Sequence, residues 1–165
     1  MILPQVISIN LSKGGIPKLP VKSIWVMFNG LEGDGHNHDK HCTPLQAVSL
    51  QDIEKLQDLN NEGYSLVPGS TGENLTLRGI NVNELPVGAL LHFANGVILE
   101  LTKVRKPCYV LDAIDIRLKT DIVGRCGLYA KVIKEGRLVQ GESVSIVSLD
   151  SPSNPIQGGK VYGRV

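Results

Sequence analysis

Residues 85–104 read LPVGALLHFANGVILELTKV, and this stretch decides the fold. Two runs rich in Leu, Ile and Val flank Asn95 and Gly96, which predicts a β-hairpin with a type I′ turn. A second stretch of the same character, LYAKVIKEGRLVQGESVSIVSL at residues 128–149, predicts another hairpin that turns at Gly136. The two hairpins indicate a domain built mainly from β-sheet.

Further strands and one main helix are predicted along the rest of the chain. Apolar runs bounded by turn residues predict strands at residues 3–10, 21–28, 45–50 and 74–78. Helical spacing of apolar residues predicts the main helix over residues 51–62, with Ser49 as its N-cap and Gly63 at its end. We therefore expect an all-β, or mostly β, fold: a closed or nearly closed β-barrel with one main α-helix and short helical segments.

Length and composition fit one domain in an intracellular protein. The chain has 165 residues, is 42% hydrophobic and carries a formal net charge of +1. These values favour neither a nucleic-acid partner nor a membrane partner. The start of the chain lacks the features of a secretory signal, so we expect a cytoplasmic location. Residues 1–148 are predicted to form the domain, and the polar residues 149–165 a C-terminal extension.

Cys108 is the cysteine whose sequence surroundings favour chemistry. It follows a proline and lies just beyond Arg105 and Lys106, and positive charge favours the reactive thiolate. The alternative is a small apolar side chain in the core, because free cysteine is among the most buried residue types. The chain has three cysteines, Cys42, Cys108 and Cys126, with no CxxC pair, which favours free thiols in a reducing compartment.

A second candidate site is the polar loop at residues 29–44, NGLEGDGHNHDKHCTP. Four side chains in it could bind zinc: His36, His38, His41 and Cys42. The spacing HxHxxHC matches no familiar structural zinc pattern. A zinc-stabilised structural domain is therefore kept only as an alternative.

A third candidate is the stretch GSTGENLTL at residues 69–77. Its glycines allow the backbone to approach a ligand, and its polar side chains offer donors and acceptors. The alternative is a turn that enters a strand, with Asn74 bonded to its own backbone. The spacing alone favours the turn.

Six segments of the chain resemble MOSC domains, in the same order. They are GDGHN, QAVSL, GENLTLRGI, LPVGALLHF, RKPC and GLYAKVIKEGRLVQGESV, and the resemblance covers residues 1–148. The family is named for the C-terminal domain of molybdenum cofactor sulfurases. The resemblance implies a MOSC-type β-barrel that is associated with the molybdenum cofactor (molybdopterin).

The resemblance also implies which residues form the site. The shared cysteine of the family falls on Cys108, where sulfur chemistry or ligation of molybdenum is expected. Arg105 matches the motif arginine and is expected to hold the thiolate or the pterin phosphate. His36, Glu73 and Asn74 match family positions at the rim of the same pocket, as polar anchors for the cofactor or as proton donors.

The resemblance leaves the function open between two hypotheses. In the first, the protein binds the cofactor or carries sulfur on its cysteine, with a separate cysteine desulfurase as partner. In the second, it is a molybdenum-dependent reductase of N-hydroxylated compounds, which needs a separate electron-donor protein because the chain has no flavin or iron-sulfur motif. No pyridoxal phosphate site is expected, and a homodimer is compatible with the sequence. Arg125 and Tyr129 lie in the matching segment GRCGLY, where a structural role and a ligand contact stay open.

Overall fold

The structure is a computed structural model that describes residues 2–35 and 43–147. Within these ranges the strands are β1 (Gln5–Leu11), β2 (Leu19–Val21), β3 (Ser23–Met27), β4 (Gly30–Leu31), β5 (Val48–Asp52), β6 (Leu75–Arg78), β7 (Leu90–Phe93), β8 (Ile98–Val104), β9 (Leu128–Lys134), β10 (Gly136–Val139) and β11 (Val144–Val147). The α-helices are α1 (Ile53–Asn61) and α2 (Leu118–Asp121), and 3-10 turns cover Pro44–Gln46, Val82–Glu84 and Tyr109–Ala113. The described helices are all too short or too polar to cross a bilayer.

The strands form two sheets. The larger has eight strands in the order β11-β7-β8-β9-β5-β6-β1-β2, and the smaller has three in the order β10-β3-β4. The pair β5 and β6 is parallel, because α1 and the segment after it carry the chain back across the sheet. The remaining neighbours in both sheets pair antiparallel. The prediction of a mostly β fold is confirmed.

The eight-stranded sheet is open, with β11 and β2 at its edges. Backbone hydrogen bonds nevertheless tie the start of β1 to the residues just before β11. Val6 N donates to Glu142 O at 3.0 Å, and Gly141 N donates to Val6 O at 2.8 Å. These bonds do not form a ladder between two strands, so the closed barrel stays a prediction.

The first predicted hairpin is confirmed, but its turn differs from the expectation. β7 and β8 pair antiparallel, and Phe93 N donates to Val97 O at 2.9 Å across a loop of three residues. Only Gly96 in this loop has a positive φ, at 106°, whereas a type I′ turn needs a positive φ at both central residues. The observed loop is typical of three-residue hairpin loops, in which a type I turn is followed by a residue with positive φ, here Gly96.

The second predicted hairpin is wrong. β9 lies between β8 and β5, while β10 pairs with β3 in the smaller sheet. Both edges of β9 are therefore already occupied, and β10 has no free edge there. The turn before Gly136 moves the chain from one sheet to the other.

The main helix is shorter than predicted at its start. Gln51 and Asp52 end β5, so α1 begins at Ile53, and Ser49 is buried in the strand rather than capping the helix. The Ser49 hydroxyl instead donates to Asn74 Oδ1 at 3.1 Å. Pairing with a neighbouring strand outweighs the local capping pattern.

Two groups of buried side chains form the interior. The larger lies between the sheets and consists mainly of Leu, Val and Ile, as expected from a chain in which only 4% of the residues are aromatic. The smaller joins α1 to the segment that contains α2, through Leu56, Leu59, Leu118 and Ile122. Cys126 belongs to this smaller group, which packs behind one wall of the cleft described below.

Substitution of Gly127 tests the close approach between the backbone just before β9 and β5. Its φ is +84°, and a Cβ atom there would lie 1.9 Å from Leu50 O. We expect Gly127→Ala to lower the free energy of unfolding by about 3 kcal/mol or more, because backbone strain and a steric clash add together. The measurement is urea denaturation.

Gly124→Ala is the matched control for this experiment. Gly124 has a similar φ of +77°, but no atom lies within 4 Å of a Cβ there. Its substitution should cost only the strain of the left-handed backbone, about 1–2 kcal/mol. Equal losses in the two variants would contradict the close approach at Gly127.

Candidate functional site

A cleft of about 250 Å³ brings together residues that are far apart in the sequence. Its lining comes from the loop after β1, the turn before β6, the segment after β8 and the start of β9. Cys108, Arg105 and Asn74, which the sequence predicts as site residues, all line it. Tyr129 lines it as well, whereas His36 lies outside the described residues.

Cys108 presents an exposed thiol at this cleft. The residue is extended, with φ of −128° and ψ of 170°, and the 3-10 turn Tyr109–Ala113 begins directly after it. Leu111 N donates to Cys108 O at 3.1 Å, which fixes the backbone of the cysteine. The interpretation of Cys108 as an apolar core residue is therefore excluded.

Arg105 is held in the cleft wall on two sides. Its Nη1 donates to Cys126 O at 3.0 Å and its Nη2 to Thr71 O at 2.9 Å. The guanidinium carbon also lies 5.8 Å from the centre of the Tyr129 ring, a cation–π distance. Burial acts to lower the pKa of Arg105, but attraction by the deprotonated forms of Cys126, Tyr129 and Glu73 outweighs it and raises the pKa. Arg105 is thus a fixed cation.

Asn74 joins three segments at the cleft. Its Oδ1 accepts from Ser49 N at 3.0 Å, and its Nδ2 donates to Asp34 Oδ2 at 2.9 Å. Asp34 is also paired with Lys18, whose Nζ lies 2.7 Å from the same oxygen. The interpretation of Asn74 as a turn residue bonded to its own backbone is wrong, because its partners lie far away in sequence.

Lys18 is a cleft residue that the sequence analysis missed. It lies in SKGGIPKLP, which glycine and proline mark as an ordinary loop. The loop is fixed by Lys18 N, which donates to Gly69 O at 2.9 Å. No local signal identifies Lys18, because its partner Asp34 lies in another loop.

Glu73 faces away from the cleft. Its side chain is completely buried and accepts from Gly69 N at 2.5 Å, Thr71 Oγ1 at 2.6 Å and Thr76 Oγ1 at 3.3 Å. Neighbouring residues of an extended segment point to opposite sides, so Asn74 lines the cleft and Glu73 does not.

The described lining of the cleft is cationic. It contains Lys18, Arg105 and Lys106, and no Asp or Glu among the described residues that line it. Since Asp34 neutralises Lys18, the unbalanced charges are those of Arg105 and Lys106. Such a cleft attracts anions.

Cys126 lines the same cleft but differs from Cys108 in exposure. Its side chain is 3% exposed. Burial raises the pKa of Cys126, although Arg105 acts in the opposite direction. The Cys126 thiol is therefore protonated at neutral pH.

Arg125 and Tyr129, left open by the sequence, take different places. Arg125 pairs with Glu62 and also donates to Asp121 O, so it joins α1 to the segment after α2. The hydrogen bond that Arg125 donates to the Glu62 carboxylate raises the pKa of Arg125. Arg125 does not line the cleft, whereas Tyr129 does.

The zinc alternative concerns the polar loop at residues 29–44. His36, His38, His41 and Cys42 lie outside the described residues. Within residues 2–35 and 43–147, no three His, Cys, Asp or Glu side chains gather as a metal-binding group. The zinc alternative stays a prediction.

The structure is thus a mostly β protein with a cleft that is lined by one exposed cysteine, one buried cysteine and cationic side chains. The family model of the MOSC domain matches residues 34–145, more than half of the chain. The chain therefore belongs to the MOSC domain family, which is associated with the molybdenum cofactor.

Two curated relatives are similar to this chain over most of its length. An uncharacterized protein YflK of Bacillus subtilis (strain 168) is 27% identical over 148 residues, which are 81% of this chain and 63% of the relative. A protein named Reductase from Gibberella moniliformis is 25% identical over 142 residues, which are 78% of this chain and 24% of the relative. The chain spans less than two thirds of either relative.

Solved structures show the same fold at low sequence identity. The YUAD protein of Bacillus subtilis is 15% identical with a TM-score of 0.75, and the match covers 88% of this chain and 96% of that one. YiiM of Geobacillus stearothermophilus is 24% identical with a TM-score of 0.71, over 88% and 75% of the two chains. YiiM of Escherichia coli is 21% identical with a TM-score of 0.70, over 90% and 71%.

Alkylation distinguishes the two cleft cysteines. We expect iodoacetamide at neutral pH to label Cys108 at least about tenfold faster than Cys126, because burial and a raised pKa keep the second thiol protonated. Peptide mass spectrometry of the native protein measures both rates. In urea the two rates should converge, and equal rates in the folded protein would contradict the assignment of Cys108 as the accessible thiol.

Proposed function

We propose that this protein is a molybdenum-cofactor-associated MOSC protein that binds the cofactor, or carries sulfur for it, through Cys108. The observation that carries the proposal is the exposed thiol in a cleft whose described lining holds cationic side chains and no carboxylate. A thiolate is a soft ligand, which suits molybdenum and sulfur alike. Sulfur transfer and metal ligation both require this sulfur to be accessible.

The residues of the cleft fit the cofactor, which is an anion with sulfur ligands and a phosphate. Arg105 and Lys106 offer N–H donors and positive charge to a phosphate. Gly72 leaves space in the cleft beside Ile16 and Arg105. A Cβ atom at this position would lie 3.0 Å from the Ile16 side chain and 3.8 Å from Arg105 Nη2. A larger residue would fill the space in front of the guanidinium.

Each of these residues has a separate task in the proposed function. Cys108 supplies the thiolate, and the bound cofactor would supply the redox chemistry of its metal. Arg105 has a fixed orientation and binds the anionic part of the ligand. Asn74 holds β5, at Ser49, and the loop at Asp34 together, so the cleft keeps its shape.

As a sulfur carrier, the protein would work with a separate cysteine desulfurase. The Cys108 thiolate attacks the outer sulfur of the desulfurase persulfide, and the desulfurase thiolate leaves. One S–S bond forms and one breaks, so no further oxidant is needed. No pyridoxal phosphate site is proposed in this chain.

A second candidate function is molybdenum-dependent reduction of N-hydroxylated compounds. The relative named Reductase favours it, although this chain spans only 24% of that protein. Electrons would come from a separate electron-donor protein. A cytoplasmic location, a homodimer and the closure of the sheet into a barrel also stay proposals.

Elemental analysis tests the proposed function. The protein and its Cys108→Ala variant are purified from a host that makes the molybdenum cofactor, and molybdenum is measured by mass spectrometry. We expect the variant to hold at least about tenfold less molybdenum, because it lacks the thiolate ligand. Cofactor binding through Cys108 is contradicted if the variant retains as much molybdenum as the unmodified protein.

Cys126→Ala is the matched control, because Cys126 is the other described cysteine that lines the cleft and its thiol is buried. This variant should keep its molybdenum. If no sample contains molybdenum, incubation with a cysteine desulfurase and cysteine tests the carrier function. Intact mass should then show one added sulfur on the Cys126→Ala protein and none on Cys108→Ala, and sulfur on neither variant would contradict the proposal.

A further inference from the structure

Glu73 fixes the turn that precedes β6. It accepts hydrogen bonds from Gly69 N and from Thr71 Oγ1 within the same turn. Hydrogen bonds to a carboxylate are stronger than those between neutral groups. Gly69 itself cannot shift, because Lys18 N donates to its carbonyl and a Cβ on Gly69 would lie 2.1 Å from Lys18 O. The turn is thus held from within and from outside.

The same turn holds Arg105. Thr71, whose hydroxyl donates to Glu73, offers its carbonyl to Arg105 Nη2 at 2.9 Å. On the other side, Arg105 Nη1 donates to Cys126 O, just before β9. The guanidinium is therefore clamped between two segments, and its remaining N–H groups are left for the cleft and for Tyr129.

The negative charge of Glu73 acts from behind the cleft wall. Its side chain is completely buried and its hydrogen bonds come from neutral donors, so it forms no ion pair with Arg105. It still attracts the Arg105 guanidinium, as its share in raising the pKa of Arg105 shows. The cleft surface therefore carries the positive charge of Arg105, while the carboxylate of Glu73 stays buried behind it.

We propose that Glu73 is a positioning residue: it holds the Thr71 carbonyl that clamps Arg105, and so gives the cleft around Cys108 its selectivity for anionic ligands. Glu73 does not touch the ligand. The inference rests on the proposed function for the identity of the site. Its test needs no molybdenum, so the two can fail separately.

The test compares two alkylating reagents at Cys108. Iodoacetate is an anion and iodoacetamide is neutral, and both attack the same thiolate. The ratio of their rate constants therefore removes the effects of thiol exposure and ionisation and reports the local charge. Arg105→Met provides the reference for a lost cation, with a ratio about threefold lower at low salt, as expected for unit charges about 7 Å apart in water.

Glu73→Ala should lower the ratio to the value of Arg105→Met, because the clamp on the guanidinium is lost. Glu73→Gln is the matched control. The Gln amide oxygen can still accept from Gly69 N. The Gln NH2 group can donate to the Thr71 hydroxyl oxygen once that hydroxyl has rotated. The ratio of this variant should stay at the wild-type value or above it.

An exposed carboxylate at the cleft would repel iodoacetate, so its removal would raise the ratio. An unchanged or raised ratio in Glu73→Ala overturns the inference. If Glu73→Ala does not fold, Thr71→Val removes one donor to the carboxylate with little change in volume. Its ratio should fall between the wild-type and Arg105→Met values, and a wild-type ratio overturns the inference too.

The two proposals are distinguished by combining both measurements. A fall in the ratio for Glu73→Ala with no molybdenum and no persulfide on Cys108 would support the inference and refute the proposed function. Molybdenum that depends on Cys108, together with an unchanged ratio, would do the opposite.

Discussion

The site depends on the hydrogen bonds of the Asn74 side-chain amide, because they continue the hydrogen bonding of the sheet beyond the start of β6. β6 lies between β5 and β1, and Asn74 directly precedes it. There the amide accepts from Ser49 N and donates to Asn10 O, one partner on each neighbouring strand. A further hydrogen bond of the same amide, from Nδ2 to Asp34 Oδ2, attaches a loop to these strands. The cleft therefore has a floor of hydrogen-bonded backbone.

Local patterns predicted the features that local interactions decide. The apolar runs identified most strands. The segment RKPC by itself left Cys108 open between a reactive thiol and a core residue, and the family resemblance favoured the thiol. The pairing of a segment with strands that are distant in the sequence could not be predicted. The hairpin at Gly136 fails because β8 and β5 already occupy both edges of β9. Ser49 fails as a helix cap because its hydroxyl is bonded to Asn74.

The family motifs predicted which residues lie near the site, but they did not predict the role of each residue. Glu73 and Asn74 are adjacent in one motif, but one is buried behind the wall and the other lines the cleft. The two described cysteines show the same limit, since both line the cleft but Cys108 is exposed and Cys126 is buried. Lys18 carries no local signal, because its role depends on Asp34.

The cleft lining is drawn from segments distributed between Gly15 and Tyr129. During synthesis the N-terminal segments leave the ribosome long before β9 does. Arg105 has no clamp until Cys126 has emerged, and β8 lacks its partner until β9 pairs with it. The cleft therefore reaches its final shape only after β9 has been synthesised and has paired with β8.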